Sequence, residues 1–220
     1  MKGIPEKDHK YWGWFPLRGK LLNVQTATIK QLSENEEIKM MKRIIGLEEG
    51  KDYTDNINGL RYHRVMVLTD ADDDGYHIKG LVMNYIGQYW PSLIKREGFI
   101  CDFDTPIKKA FKSNSRGKRT NEVEFYSEDE FKQWNSPGTG GWNHQYYKGL
   151  GSYEPYEARN LCKSMRITEY TWDDTEKEFE GIKGEASALK FDLAFSKKHA
   201  DGRKDWLNNG VEPKPVIPLK

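Results

Sequence analysis

Two periodicities alternate along the chain. Residues 65–68, Val-Met-Val-Leu, form a short unbroken apolar run that predicts a buried strand. After an acidic stretch, Ile78, Leu81, Val82, Tyr85, Ile86 and Tyr89 recur at the spacing of one helical face, and Pro91 ends that helix or begins the next turn. Strand, acidic loop and amphipathic helix, in this order, predict the opening of a parallel α/β unit. In such sheets ligands gather beyond the carboxyl ends of the strands. The acidic loop lies there.

The flanks follow the same logic. Residues 12–20, rich in aromatics, glycine, proline and cations, predict a shaped loop running into a short strand. Ser33 and Glu36 have capping-box spacing ahead of Ile38, Met41 and Ile45 on one helical face, and Gly46 stops the pattern. Residues 48–59 carry no periodicity and predict a surface loop. Strands are expected near 99–103, 106–111, 123–126 and 145–147. A helix capped by Ser152 should turn Ala158, Leu161, Cys162 and Met165 inward. Residues 172–185 are acidic and expected to be solvated, and a last helical region is expected over 185–208. The organisation predicted is a loop and helix segment over 1–60, an α/β core over 61–152, a helical extension over 153–210 and an extended tail over 211–220. There is no internal repeat and no low-complexity tract.

Composition narrows the class. With 220 residues, 36% of them apolar and 13% aromatic, the chain can bury a real core, and the composition argues against disorder throughout. The 35 Lys and Arg against 34 Asp and Glu leave a formal charge of +1, which excludes a uniformly basic coat and requires any nucleic-acid surface to arise from local sorting. No apolar run approaches the roughly 18 residues that span a bilayer. The first ten residues lack the apolar centre of a signal peptide. Cys101 and Cys162 are too few for a disulfide framework or a cysteine-ligated zinc. These features predict a soluble protein of a reducing compartment with no membrane partner: cytoplasmic, or in the host cytoplasm if the source is viral.

The acidic loop, Thr69-Asp-Ala-Asp-Asp-Asp-Gly75, carries the sharpest chemistry. In an extended segment Asp70, Asp72 and Asp74 project to one side about 6.5 Å apart. Neighbouring charges then repel by about 2.5 kcal/mol at an effective dielectric near 20. A divalent cation relieves that repulsion, and hard oxygen donors select Mg²⁺ or Ca²⁺. Gly75 permits a sharp turn. An EF-hand loop is rejected, because its twelfth position would be a Glu and here is Leu81. Two readings stay open: a solvated turn in which Asp74 caps the helix, and a Mg²⁺ site for phosphodiester chemistry. Nearby, Pro16-Leu-Arg-Gly-Lys20 and Tyr147-Lys-Gly-Leu-Gly151 place cations beside glycines, a combination that suits close approach to phosphate. With His77-Ile-Lys-Gly80 they favour the metal reading.

Four segments in order, FPLRGKLLNV (15–24), TDADDDGYHIKGL (69–81), YYKGLGSYE (146–154) and LAFSKKHADGRKDWL (193–207), resemble the Toprim region of type IIA DNA topoisomerases. The first and last look closer to the eukaryotic and viral branch than to bacterial gyrase. The resemblance implies a Toprim-type, Rossmann-like parallel sheet with added helices at both ends. It makes Asp70, Asp72 and Asp74 the metal-binding and catalytic aspartates for Mg²⁺, with Mn²⁺ or Ca²⁺ expected to substitute in binding. It places Arg18, Lys20, His77, Lys79, Lys148 and Gly149 near DNA phosphates. The implied activity is ATP-dependent cleavage and religation of double-stranded DNA.

The chain departs from that pattern in three ways. The family's E-G-D-S-A segment, whose Glu completes the metal site, is missing, and with it the first strand of the sheet. An ATPase domain is missing too. Arg61-Tyr62 imitates the family's nucleophile but precedes the strand that feeds the acidic loop, so Tyr62 has no catalytic role. The expectation is a subunit inactive alone, split as in some bacteriophages or else cut from a longer polypeptide. Its partners would be a subunit with the ATPase domain and the E-G-D-S-A glutamate, and another with the winged-helix tyrosine, in an assembly holding two copies. A DNA-binding scaffold and a Toprim nuclease are the alternatives. The basic run 108–119 fits a DNA-contacting arm or a solvated hairpin tip. Trp12 and Trp14 fit packing or a partner contact better than base stacking.

Overall fold

The computed structural model describes residues 4–135, 140–147, 149–179 and 181–209. In chain order the elements are α1 (Ile29–Glu34), α2 (Glu36–Ile45), β1 (Val65–Val67), α3 (Asp73–Tyr89), α4 (Pro91–Ile94), β2 (Ile100–Phe103), β3 (Lys108–Ser113), β4 (Arg119–Phe125), α5 (Glu128–Asn135), β5 (Asn143–Tyr146), α6 (Pro155–Lys163), β6 (Ile167–Glu169), β7 (Glu176–Phe179), β8 (Ile182–Glu185), α7 (Ala186–Phe195) and α8 (Ala200–Asn208). They form two interleaved compact units. One comprises 1–14, 68–76 and 103–167; the other comprises 15–67, 77–102 and 168–220. Among the described residues no helix is long and apolar enough to cross a membrane.

The second unit holds the α/β core. β1 and β2 pair in parallel with Val65, Met66 and Val67 opposite Ile100, Cys101 and Asp102, and the sheet order is β1-β2-β6. Leu81, Val82, Tyr85 and Ile86 of α3 pack into a core with Ile38, Met41 and Ile45 of α2, as the two helical periodicities require. Ile78 is only half-buried and Tyr89 is exposed, so the buried stripe is narrower than its sequence pattern. Gly46 closes α2 at φ 86° with its N–H on the Lys42 carbonyl, a left-handed cap that glycine adopts without a Cβ penalty.

Local capping differs from expectation. Thr28 caps α1 and Asn35 caps α2, whereas Ser33 lies inside α1 and donates to the Lys30 carbonyl. The chain breaks at Asn35, which moves the cap two residues on. No strand forms over 15–28 after the Pro-Leu-Arg-Gly-Lys segment. Residues 48–59 are irregular as predicted but pinned. Tyr53 is fully buried, its hydroxyl accepts the Glu48 N–H at 3.0 Å, and Trp90 Nε1 donates to the Glu48 carbonyl at 2.7 Å. The 172–185 stretch forms the antiparallel β7–β8 hairpin, with Glu176 opposite Glu185.

The first unit is built on the antiparallel sheet β4-β3-β5, with Ala110 opposite Val123 on one side and His144 on the other. Phe125 and His144 of this sheet form an aromatic cluster with Phe131, Trp134 and Trp142, in edge-to-face and tilted contacts. α6 begins two residues later than predicted. Its N-cap is Glu154, followed by Pro155 at the first helical position, and it turns Glu157 and Leu161 inward, while Ala158 is exposed. Inward-facing Glu157 becomes central to the site.

Candidate functional site

The acidic loop leaves β1 and is taken over by a helix sooner than periodicity predicts. Asp72 is the N-cap of α3: its Oδ1 accepts the Gly75 N–H at 2.7 Å and its carbonyl accepts the Tyr76 N–H at 2.9 Å. Asp73 and Asp74 therefore lie in the first helical turn, where negative charge favours the helix dipole. This corrects two expectations. The cap is Asp72 rather than Asp74, and the loop is not extended through 74, so strand alternation does not set the relative directions of Asp70, Asp72 and Asp74. Gly75 serves the turn by absence of bulk: a Cβ there would stand 2.0 Å from the Asp70 carbonyl oxygen.

Within the same unit the glycine-rich segment reaches Asp70. A Cβ on Gly149 would meet Asp70 Oδ2 at 2.9 Å, so only glycine brings backbone this close to the carboxylate without displacing it. Gly149 itself is extended, at φ 177°, and imposes no left-handed requirement. Asp70, Ala71, Thr105, Pro106, Tyr147, Gly149 and Tyr153 line a narrow crevice. Lys148 lies outside the described residues.

Beneath this crevice is a buried charged cluster that sequence reasoning missed. Lys109 Nζ lies 2.9 Å from Glu157 Oε1, 3.0 Å from Glu122 and 3.3 Å from Glu124. Tyr147 Oη donates to Glu157 Oε1 at 2.9 Å, and Arg119 approaches the same oxygen at 3.4 Å. Burial acts to lower the Lys109 pKa, but hydrogen bonds to Glu157 and Glu122 prevail and raise it above the usual lysine value. Burial acts to raise Glu157, while the Glu154 N–H, Lys109 and Tyr147 prevail and hold it below the ordinary carboxylate value. Burial pushes the Tyr153 phenol up to about 12, and its ring stacks on Tyr147 at 4.3 Å. The Glu-Pro-x-Glu spacing at 154–157 was the one sequence signal for Glu157, as a helix start.

The cations of 108–119 are largely committed inside this unit. Lys108 pairs with Glu128, Lys109 is buried, Lys112 lies over Trp142 and Arg119 over Phe111. Arg116 and Lys118 sit at the hairpin tip, where Asn114 Oδ1 accepts both of their N–H groups.

The other predicted contacts belong to the second unit. Arg18 and Lys20 are exposed around Gly19, whose φ of 121° makes the bend. His77 is exposed, with its ring 6.4 Å from Phe195. Lys79 differs from these: it is buried and pairs with Asp102 at 2.7 Å, an acid that also accepts from Tyr170 Oη. Its ammonium is thus engaged by an internal carboxylate. Phe195 packs over Gly80, where a Cβ would meet the ring at 2.9 Å, and its carbonyl accepts from Asn23 Nδ2 at 2.8 Å. Arg203 Nη1 donates to the carbonyls of Leu193, Ala194 and Ser196 and so closes α7.

The carboxylates of the acidic loop are the donor chemistry that a hard divalent cation requires. Their placement is less accommodating. Among the described residues no group of three or more His, Cys, Asp or Glu side chains is arranged to hold a metal ion. Asp70 and Asp72 could each offer an oxygen, and the set needs a further donor to close.

Residues 103–217 match the family described as the C-terminal associated domain of TOPRIM, and residues 8–101 match the Toprim domain. The chain belongs to this family. Over 185 residues it is 47% identical to DNA topoisomerase 2 of Acanthamoeba polyphaga mimivirus, covering 82% of this chain and 14% of that protein. Over 214 residues it is 40% identical to DNA topoisomerase 2 of Pisum sativum, covering 95% of this chain and 14% of the relative. The crystal structure of the Plasmodium falciparum topoisomerase II DNA-binding, cleavage and re-ligation domain aligns with a TM-score of 0.76 and 40% identity, over 90% of this chain and 25% of that one. The expected Toprim-type α/β fold is thus that of the family, and its relatives are type II DNA topoisomerases of eukaryotes and a virus. The chain spans about one seventh of the length of these two curated relatives.

Proposed function

We propose that this chain supplies the Toprim part of an ATP-dependent type II DNA topoisomerase, working with an ATPase domain, an outside glutamate and a tyrosine nucleophile contributed by other parts of a two-copy assembly. The observation that carries this reading is the seating of Gly149 against the Asp70 carboxylate. It joins the acidic and glycine-rich segments inside one compact unit. The names and identities of the relatives support it.

In this reading Asp70 and Asp72 would hold Mg²⁺, with Asp74 close by in the first turn of α3. A bound divalent ion offsets charge on a reacting DNA phosphate. Asp72 acts twice, as helix cap and as acidic donor, so the ligand set is tied to the start of α3. Arg18, Lys20 and His77, exposed on the second unit, would meet phosphates of double-stranded DNA as charge or hydrogen-bond donors. Lys148 would add a cation and Gly149 a close backbone approach.

The test is DNA cleavage by the reconstituted assembly carrying Asp70→Ala. Loss of cleavage with DNA binding intact supports the catalytic reading. Undiminished cleavage ends it and leaves a DNA-binding scaffold, for which Lys148→Ala would weaken binding and flatten its salt dependence. Nicking of DNA by the purified chain with metal alone would instead indicate a free-standing nuclease.

A further inference from the structure

Glu157 is 2% exposed, yet both of its carboxylate oxygens have partners. Oε2 accepts the Glu154 N–H at 2.9 Å; Oε1 receives Tyr147 Oη and Lys109 Nζ, each at 2.9 Å. Three parts of the unit converge on this one side chain: α6, the central strand β3 and Tyr147, the residue just after β5. Tyr147 is held from its other sides as well. Its N–H donates to the Ile107 carbonyl at 2.9 Å, and its ring stacks on Tyr153, whose hydroxyl donates to the Pro106 carbonyl at 2.6 Å. Two residues on from Tyr147, Gly149 abuts Asp70. Two residues of chain reach about 7 Å at most, so an anchored Tyr147 leaves Gly149 little freedom to move.

We propose that Glu157 is the positioning residue of the site: through Tyr147 it fixes Gly149 against Asp70 and so sets the orientation of that carboxylate. The consequence for a metal rests on the reading above, in which Asp70 is a ligand. Glu157 touches neither Asp70 nor any reacting group, and it acts only through the backbone it anchors.

The experiment uses the full chain and two readouts, hydrogen exchange of the peptide spanning 147–151 and Mn²⁺ binding followed by electron paramagnetic resonance. Tyr147→Phe removes one hydroxyl and leaves the Lys109–Glu157 pair in place, so it perturbs folding less than Glu157→Gln, which takes a charge away from the Lys109 pair. Exchange in Tyr147→Phe is expected to quicken about tenfold, the loss of one net hydrogen bond. Mn²⁺ affinity should fall several-fold with a near-native melting temperature, a separation that a purely structural role would not produce. Unchanged exchange overturns the proposal, as does native Mn²⁺ affinity in Tyr147→Phe when Asp70→Asn abolishes binding. If Asp70→Asn leaves Mn²⁺ binding intact, the metal reading fails on its own, and the exchange rate alone decides whether Glu157 anchors the segment.

Discussion

The Asp72 carboxylate accepts the Gly75 N–H at 2.7 Å and thereby starts α3 inside the acidic run. One side chain thus serves two purposes that substitution can separate. Asp72→Ala should lower stability by about 1 kcal/mol through loss of the cap, and Asp72→Asn should keep that stability because asparagine caps equally well. Urea denaturation measures this difference. Both variants should lose DNA cleavage in the reconstituted assembly if the charge is needed, and cleavage by Asp72→Asn at the native rate would confine the residue to capping.

Gly75 is fixed by space. Its Cβ position lies 2.0 Å from the Asp70 carbonyl oxygen, a backbone atom that cannot swing aside. Gly75→Ala should therefore destabilise by about 2 kcal/mol despite alanine's better helix propensity. Denaturation midpoints will register it. A neutral or stabilising result would mean that the turn relaxes more readily than this packing implies.

Lys79 and Asp102 form a buried pair at 2.7 Å. Removing one partner leaves the other charge uncompensated, so Lys79→Met should cost about 3–5 kcal/mol. Once corrected for folded fraction, its DNA affinity and salt dependence should match the native chain. An Arg18→Ala or Lys20→Ala variant should show the converse, native stability with weaker, less salt-sensitive DNA binding.

The pH dependence of stability follows from Glu157. Burial opposes its charge, but the Glu154 N–H, Lys109 and Tyr147 outweigh burial and depress its pKa below the ordinary 4.5. A group with a depressed folded pKa contributes stability that is fully present above its unfolded value. That contribution fades as pH falls through the folded value. Glu157→Gln should be less stable than the native chain at neutral pH, and the gap should narrow below pH 4.5. Urea midpoints taken from neutral pH downward will follow the convergence; a gap that widens in acid would contradict the assignment.

The elements read from sequence were those whose signal is local. A four-residue apolar run and a helical stripe suffice to place β1 and α3, and the glycine at 46 stops α2 by its own conformational freedom. What escaped was set by partners distant in the chain. Lys79 reads as a phosphate contact and Lys109 as part of a DNA-contacting arm or solvated hairpin tip, because nothing near them in sequence announces Asp102 or Glu157. Capping was misjudged for a related reason: Ser33, Asn35 and Thr28 are all competent caps, and the choice depends on where tertiary packing breaks the helix. The extended reading of the acidic loop failed because α3 extends back to Asp73, beyond its apolar stripe.

The two units take turns along the polypeptide, each drawing on three stretches of sequence. A single break anywhere between Phe15 and Ile167 would leave both units incomplete on either side of the cut. Neither half of such a break is a miniature of the whole. Limited proteolysis in this interval should accordingly yield pieces that stay associated or unfold together, and dissection by truncation is a poor route to a minimal folded core.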